Sequence, residues 1–165
     1  MAKRQVFFSF EYSKDYWRAS QVRNMGKVDK SSTFCDNDWE EVRKQSDWAI
    51  KKWIESQLKM RSCIVVLIGS TTSTRPWVKY EIKKAYEMGK GIVGIYIHNL
   101  KNSSGCQSNK GCNPFYNLFT RNGRRLSNFV TCYESQYKTS QYVYNDISSK
   151  IEQLIEDAIS NAKKY

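Results

Sequence analysis

Two stretches of the chain are apolar throughout. Ile64-Val65-Val66-Leu67-Ile68 and Ile92-Val93-Gly94-Ile95-Tyr96-Ile97 carry neither charge nor alternation. Unbroken apolar runs of this length typify parallel strands covered on both faces. Gln5–Phe10 reads as a further short strand, rich in β-formers and bounded by polar residues. Ser32–Cys35 offers a second short strand. Phe129–Tyr133 alternates and is expected at an edge.

Between the strands the period changes to that of helices. Asp15–Asn24 carries a weak stripe of Tyr16, Ala19 and Val22/Arg23. Asp38–Lys59 reads as one long helix, with Asp38 and Glu41 as an acidic capping pair and Val42, Ser46, Ala49 and Trp53 facing the core. The next helix starts near Pro76, since proline suits a first turn. Val78, Ile82, Ala85 and Gly89 form its core face, with Glu81 at the edge of that stripe. The cleanest pattern, Ile147, Ile151, Leu154, Ile155, Ala158, Ile159 and Ala162, predicts a last helix over Tyr144–Lys163. His98–Arg125 is a long polar loop, with little apolar surface to anchor it.

Alternating strands and helices around wholly apolar strands predict an α/β three-layer sandwich with a mostly parallel sheet. A flavodoxin-like order 2-1-3-4-5 is the natural topology under right-handed crossovers. Residues 1–165 read as a single domain without internal repeats.

Composition narrows the function. A net charge of +11 suits an anionic partner or simply solubility, and no run of five basic residues occurs. No segment reads as a signal peptide or reaches the ~20 apolar residues of a bilayer span, so the chain reads as cytoplasmic. Five cysteines without metal-ligand spacing suggest neither a disulfide framework nor a metal site. There is no P-loop, no G-x-G-x-x-G and no G-x-S-x-G elbow, and the single histidine, His98, reads as a loop residue.

Carboxylates at strand ends remain: Glu11, Asp36, Asp38, Glu40 and Glu81. Most are expected to be caps or solvated acids. Glu81 stands apart because it follows an apolar strand, its loop and Trp77 by one helical turn, where open α/β sheets bind ligands. Ser70 ends that strand, and Arg75 and Lys79 offer positive charge to a diphosphate.

Taken in order, VFFSF (6–10), VRN (22–24), DWEEVRKQSD (38–47), VLIGS (66–70), WVKYEI (77–82) and NPF (113–115) resemble a TIR domain. More narrowly, they resemble the TIR-like proteins of the bacterial Thoeris anti-phage system, over roughly residues 4 to 134. The resemblance implies a flavodoxin-like fold and cleavage of NAD at the nicotinamide–ribose bond. NAD is then substrate, with no resident cofactor. It implies an ADP-ribose-derived signalling nucleotide, cyclic or conjugated, that reaches a separate effector by diffusion. It makes Glu81 the catalytic residue, the glutamate of WV-x-x-E, with Ser9, Phe10 and Tyr12 lining the nucleotide pocket. Asp36, Ser70, Arg75 and Trp77 complete the candidate substrate-binding set, Asp36 in a second wall around Phe34–Asp38. A phage-derived trigger and homo-oligomerisation on activation are expected; membrane and nucleic acid are not expected partners. The rival readings are a non-catalytic TIR module that works by assembly or partner binding, a nucleic-acid-binding domain, and a nucleoside deoxyribosyltransferase on a similar fold.

Overall fold

The structure is a computed structural model that describes residues 3–29 and 40–165. Its strands are β1 (Val6–Ser9), β2 (Cys63–Ile68), β3 (Gly91–Tyr96) and β4 (Thr131–Tyr133). They form one sheet in the order β1-β2-β3-β4, with every pair parallel. This is the order of strands 1, 3, 4 and 5 in the 2-1-3-4-5 arrangement. Ser32–Cys35, read as the second strand, lies outside the described residues, as do Asp36 and Asp38.

Two apolar layers account for the continuous runs in the sequence. Val65, Leu67, Val93 and Ile95 face α1 (Tyr12–Arg23) and α4 (Ser140–Ala162), where they meet Ala19, Val22, Ile147, Ile151 and Ile155. Ile64, Val66, Ile68 and Ile92 point the other way. They meet Ile50, Ile54 and Leu58 of α2 (Asp47–Lys59) and Val78, Ile82 and Ala85 of α3 (Pro76–Glu87). With helices on both faces, each residue of β1, β2 and β3 is buried whichever way it points, so alternation vanishes from these runs.

Three helix readings need correction. The long helix over Asp38–Lys59 is interrupted. Residues 40–42 are helical, a turn follows, and α2 begins at Asp47. Ser46 causes the break: it is extended (φ −68°, ψ 158°), and its Oγ accepts a hydrogen bond from Ala49 N at 3.2 Å. The new start moves the buried stripe to Ile50, Ile54 and Leu58, leaving Ser46 exposed. Ser46→Ala is expected to cost about 1 kcal/mol of stability, the usual worth of a serine N-cap. Denaturant unfolding measures it. In α1, Tyr16 is exposed while the polar Asp15 and Arg18 are buried beside Ala19 and Val22, which explains the weak apolar stripe. In α3, Glu81 lies within the buried face rather than at its edge.

The long loop after β3 is better anchored than its composition suggests. Leu100, Phe115 and Leu118 are buried. A Cβ on Gly94 of β3 would fall 2.9 Å from the ring of Phe115, so the bare glycine makes room for that side chain. The aromatic anchor and its glycine seat are 21 residues apart in sequence, and neither is recognisable from local pattern.

Candidate active site

The carboxyl ends of β1 and β2 gather the polar side chains of interest. Ser9 ends β1 on the same face as Phe7, toward α3. Its Oγ donates a hydrogen bond of 2.7 Å to Glu81 Oε1, with Ser9 1% and Glu81 5% exposed. Glu81 occupies the second turn of α3, whose start is fixed by Pro76 at its first position. Burial in apolar surroundings pushes the Glu81 carboxyl up to about 8, and the Ser9 hydrogen bond holds it back only partly. A carboxyl in this state is poised to ionise when a positive charge arrives beside it.

Ser9→Ala removes the one group that favours the ionised form. The midpoint of any Glu81-dependent pH profile is therefore expected to rise, and turnover near pH 7 to fall by roughly tenfold, the scale of one hydrogen bond to a charged group. A pH–rate profile of the variant beside wild type measures both.

A second buried carboxylate stands two residues beyond Ser9. Glu11 Oε2 accepts a short hydrogen bond from Thr71 Oγ1, and Glu11 Oε1 pairs with Arg75 Nη2 at 2.5 Å. The guanidinium read as a diphosphate ligand is thus held by Glu11 at the start of α3, about half of the side chain facing solvent. Thr72 Oγ1 accepts from Gly69 N at 2.7 Å and shapes the turn leaving β2.

The remaining expected residues spread around this centre. Phe10 points to the opposite face of the sheet from Ser9 and packs against the α1–α4 layer. It stacks on Tyr12 at 6.2 Å, and Tyr12 on Tyr16 at 5.8 Å, which makes an aromatic row along the start of α1. Trp77 is half-buried against the core and meets Tyr80 edge-on at 5.8 Å. Ser70 is half-buried where the loop after β3 crosses the end of β2. Ser9 and Glu81 are therefore brought into direct contact; Phe10, Tyr12, Ser70, Arg75 and Trp77 are arranged on the elements around them. A cavity of about 750 Å³ lies elsewhere, between Lys83, Tyr86, Phe119, Arg121 and Tyr165.

The apolar stripe of α1 does not single out Asp15 or Arg18. Both are buried, and Arg18 Nη1 donates to Asp15 Oδ1 at 2.8 Å. The signal was present as two charged residues at i and i+3 interrupting the stripe of α1. His98 is buried as well, and burial lowers its pKa, so it is neutral at pH 7. Among the described residues, no group of three or more His, Cys, Asp or Glu side chains is placed to hold a metal ion. Nor is any described helix long and apolar enough to cross a membrane.

A parallel sheet with helices on both faces, and a buried glutamate hydrogen-bonded to the end of the first strand, define a TIR-like α/β domain with a candidate catalytic edge. Family comparison makes the class specific. Residues 7–102 match the family described as "Thoeris protein ThsB, TIR-like domain", and the chain belongs to that family. It is 42% identical over 134 residues to a Bacillus cereus (strain MSX-D12) protein named "Putative cyclic ADP-D-ribose synthase ThsB1". That match spans 76% of this chain and 69% of the relative.

Proposed function

We infer that this protein is a TIR-type enzyme of anti-phage defence. It cleaves NAD at the nicotinamide–ribose bond and produces an ADP-ribose-derived signalling nucleotide. The observation that carries the reading is the buried Ser9–Glu81 pair at the carboxyl edge of the sheet. Family membership and the name of the Bacillus cereus relative support it.

The chemistry fits one carboxylate. Breaking an N-riboside bond passes through an oxocarbenium-like species, as glycoside cleavage does. Nicotinamide leaves as a neutral base, so no general acid is needed. In NAD the pyridinium carries a positive charge in the ground state, and that charge moves to the ribose as the bond breaks. A carboxylate fixed in an apolar surround stabilises it strongly, because water does not screen the interaction. Ser9 fixes one carboxylate oxygen and leaves the other available to the ribose. Arg75, Ser70 and Trp77 are assigned to the remainder of the dinucleotide, with Phe10 and Tyr12 as aromatic surface beside it. Asp36 is retained as a candidate on the far wall.

Near-complete burial also bears on the product. In a site that admits little water, the cation is captured by a nucleophile from the adenosine half of the same molecule. That nucleophile loses its proton as the new bond to the anomeric carbon forms, giving a cyclic ADP-ribose isomer. NAD acts as substrate, and no resident cofactor is required. The product reaches a separate effector by diffusion. The reading treats residues 1–165 as one TIR-like domain, places it in the cytoplasm with its nucleotide substrate, and includes a phage-derived trigger and homo-oligomerisation on activation. Mass spectrometry of NAD incubated with the protein tests the product. A species lighter than ADP-ribose by one water supports cyclisation; ADP-ribose alone would assign simple hydrolysis.

A further inference from the structure

The loop that follows β3 is tied to α1 by a buried guanidinium, that of Arg18, and at its exposed rim by Gln21, whose Nε2 donates to Lys101 O at 2.7 Å. Arg18 is 4% exposed. Its Nε donates to Leu100 O at 2.7 Å, its Nη2 to Cys106 O at 2.9 Å and its Nη1 to Asp15 Oδ1 at 2.8 Å. Two of its three bonds therefore cross to the loop, at residues 100 and 106, and the third stays within α1. A buried ion pair is expensive to assemble, and its second partner here is not fully satisfied: Asp15 Oδ2 is buried with no hydrogen-bond partner. Asp15 is also wedged against the end of β2, since a Cβ on Gly69 would lie 2.0 Å from Asp15 Oδ2.

The far end of the same loop returns to the same place. A Cβ on Gly111 would lie 2.1 Å from Gly69 O and 2.8 Å from Ser70 O. The loop thus leaves β3, is gripped by Arg18 at residues 100 and 106, and closes its backbone on Gly69–Ser70. That is the strand end from which Thr71, Thr72 and then α3 with Glu81 depart. Glycine at 69 and 111 is required because two backbones and a carboxylate share the space.

We propose that Arg18 is a positioning residue for the substrate site. Through Asp15 and the carbonyls of Leu100 and Cys106, it seats residues 100–111 on the end of β2, where they form a wall of the NAD site beside Ser70. The proposal rests on the NAD-cleaving reading of the Glu81 site. A guanidinium is suited to the task because its three nitrogens each reach a different acceptor, whereas an ammonium's donors all sit on one atom.

The test uses the full chain and three variants. Arg18→Met removes the grip. Arg18→Lys keeps the charge against Asp15 while losing part of the fork. Gly111→Ala lifts the loop from Gly69 without touching Arg18, and serves if Arg18→Met fails to fold. Amide exchange across 100–111 is expected to speed up by roughly tenfold or more in Arg18→Met and Gly111→Ala, with Arg18→Lys intermediate. KM for NAD is expected to rise by roughly tenfold while kcat falls much less, because the loosened wall contacts substrate rather than the reacting bond. Equilibrium binding of NAD to the same variants on a Glu81→Gln background should weaken in parallel. Unchanged exchange across 100–111 overturns the clamp. Faster exchange with unchanged KM and NAD affinity overturns the positioning role and leaves a purely structural ion pair. A wild-type protein that neither binds nor cleaves NAD overturns the functional reading instead, and the exchange data then decide the clamp by themselves.

Discussion

Glu81→Gln is expected to lower NAD cleavage by at least about 10²–10³-fold, the loss that follows removal of a preorganised electrostatic partner worth roughly 3–4 kcal/mol. The substitution keeps the length of the side chain and an oxygen that can accept from Ser9 Oγ. What it removes is the charge that stabilises the oxocarbenium-like centre. The loss should appear in kcat as well as in kcat/KM, because the interaction strengthens as charge moves from the pyridinium to the ribose. Glu87→Gln on the same helix is the control. Glu87 is exposed and pairs with Lys84 at 3.6 Å, and its substitution should leave turnover unchanged. Nicotinamide release under saturating and limiting NAD measures both. Full activity of Glu81→Gln in a preparation that cleaves NAD would remove Glu81 from the chemistry.

The second large effect is the pH dependence of stability that Glu81 contributes. Its folded-state pKa is raised to about 8 by burial, above the ordinary glutamate value that the unfolded chain restores. Below the unfolded value both states are protonated, and the buried neutral carboxyl stabilises fully. As pH climbs toward 8, the unfolded chain releases its proton while the folded state keeps it, so stability is lost progressively across that window. Above about 8 the loss is complete and levels off. The total is on the order of 5 kcal/mol. Glutamine does not titrate. The Tm difference between Glu81→Gln and wild type is therefore expected to move in favour of the variant by roughly 10–15 °C between pH 4.5 and pH 8.5. The change with pH is the test, since the glutamine amide brings a constant penalty of its own if its N–H groups find no partner. A Tm difference that stays level from pH 4.5 to 8.5 would mean that the carboxyl is already ionised in the folded protein. The same titration carries into turnover. In the free enzyme kcat/KM should rise with pH through a midpoint near 8, because the ionised form is the one that stabilises the cation.

Much of this was legible in the sequence because it is local. The unbroken runs at 64–68 and 92–97 fall where β2 and β3 form, and the heptad-like stripe from Ile147 to Ala158 falls in α4. Glu81 could be singled out because strand, loop, proline and helix occur in that order within eighteen residues. What could not be read depends on contacts distant in sequence. Ser9 and Glu81 are 72 residues apart, and nothing near Glu81 signals that it is buried rather than marginal. Arg18 meets carbonyls 82 and 88 residues away, so nothing local to this poorly amphipathic helix marks it as buried. Phe115 finds its seat on Gly94 only when the sheet exists. The break at Ser46 is the exception, a local signal overlooked: a serine ahead of an aspartate within a polar stretch is an N-cap pattern, and it outweighed the appearance of one continuous helix.

Incubation of NAD with wild-type protein and with Glu81→Gln, each taken both purified and from phage-infected cells, tests the central claim most directly. Free nicotinamide and the nucleotide product are quantified together by mass spectrometry. The account predicts nicotinamide and an ADP-ribose-derived nucleotide in equal amounts from wild type, and neither above background from Glu81→Gln. Intact NAD with wild-type protein under both conditions, or equal cleavage by the two proteins, would contradict it.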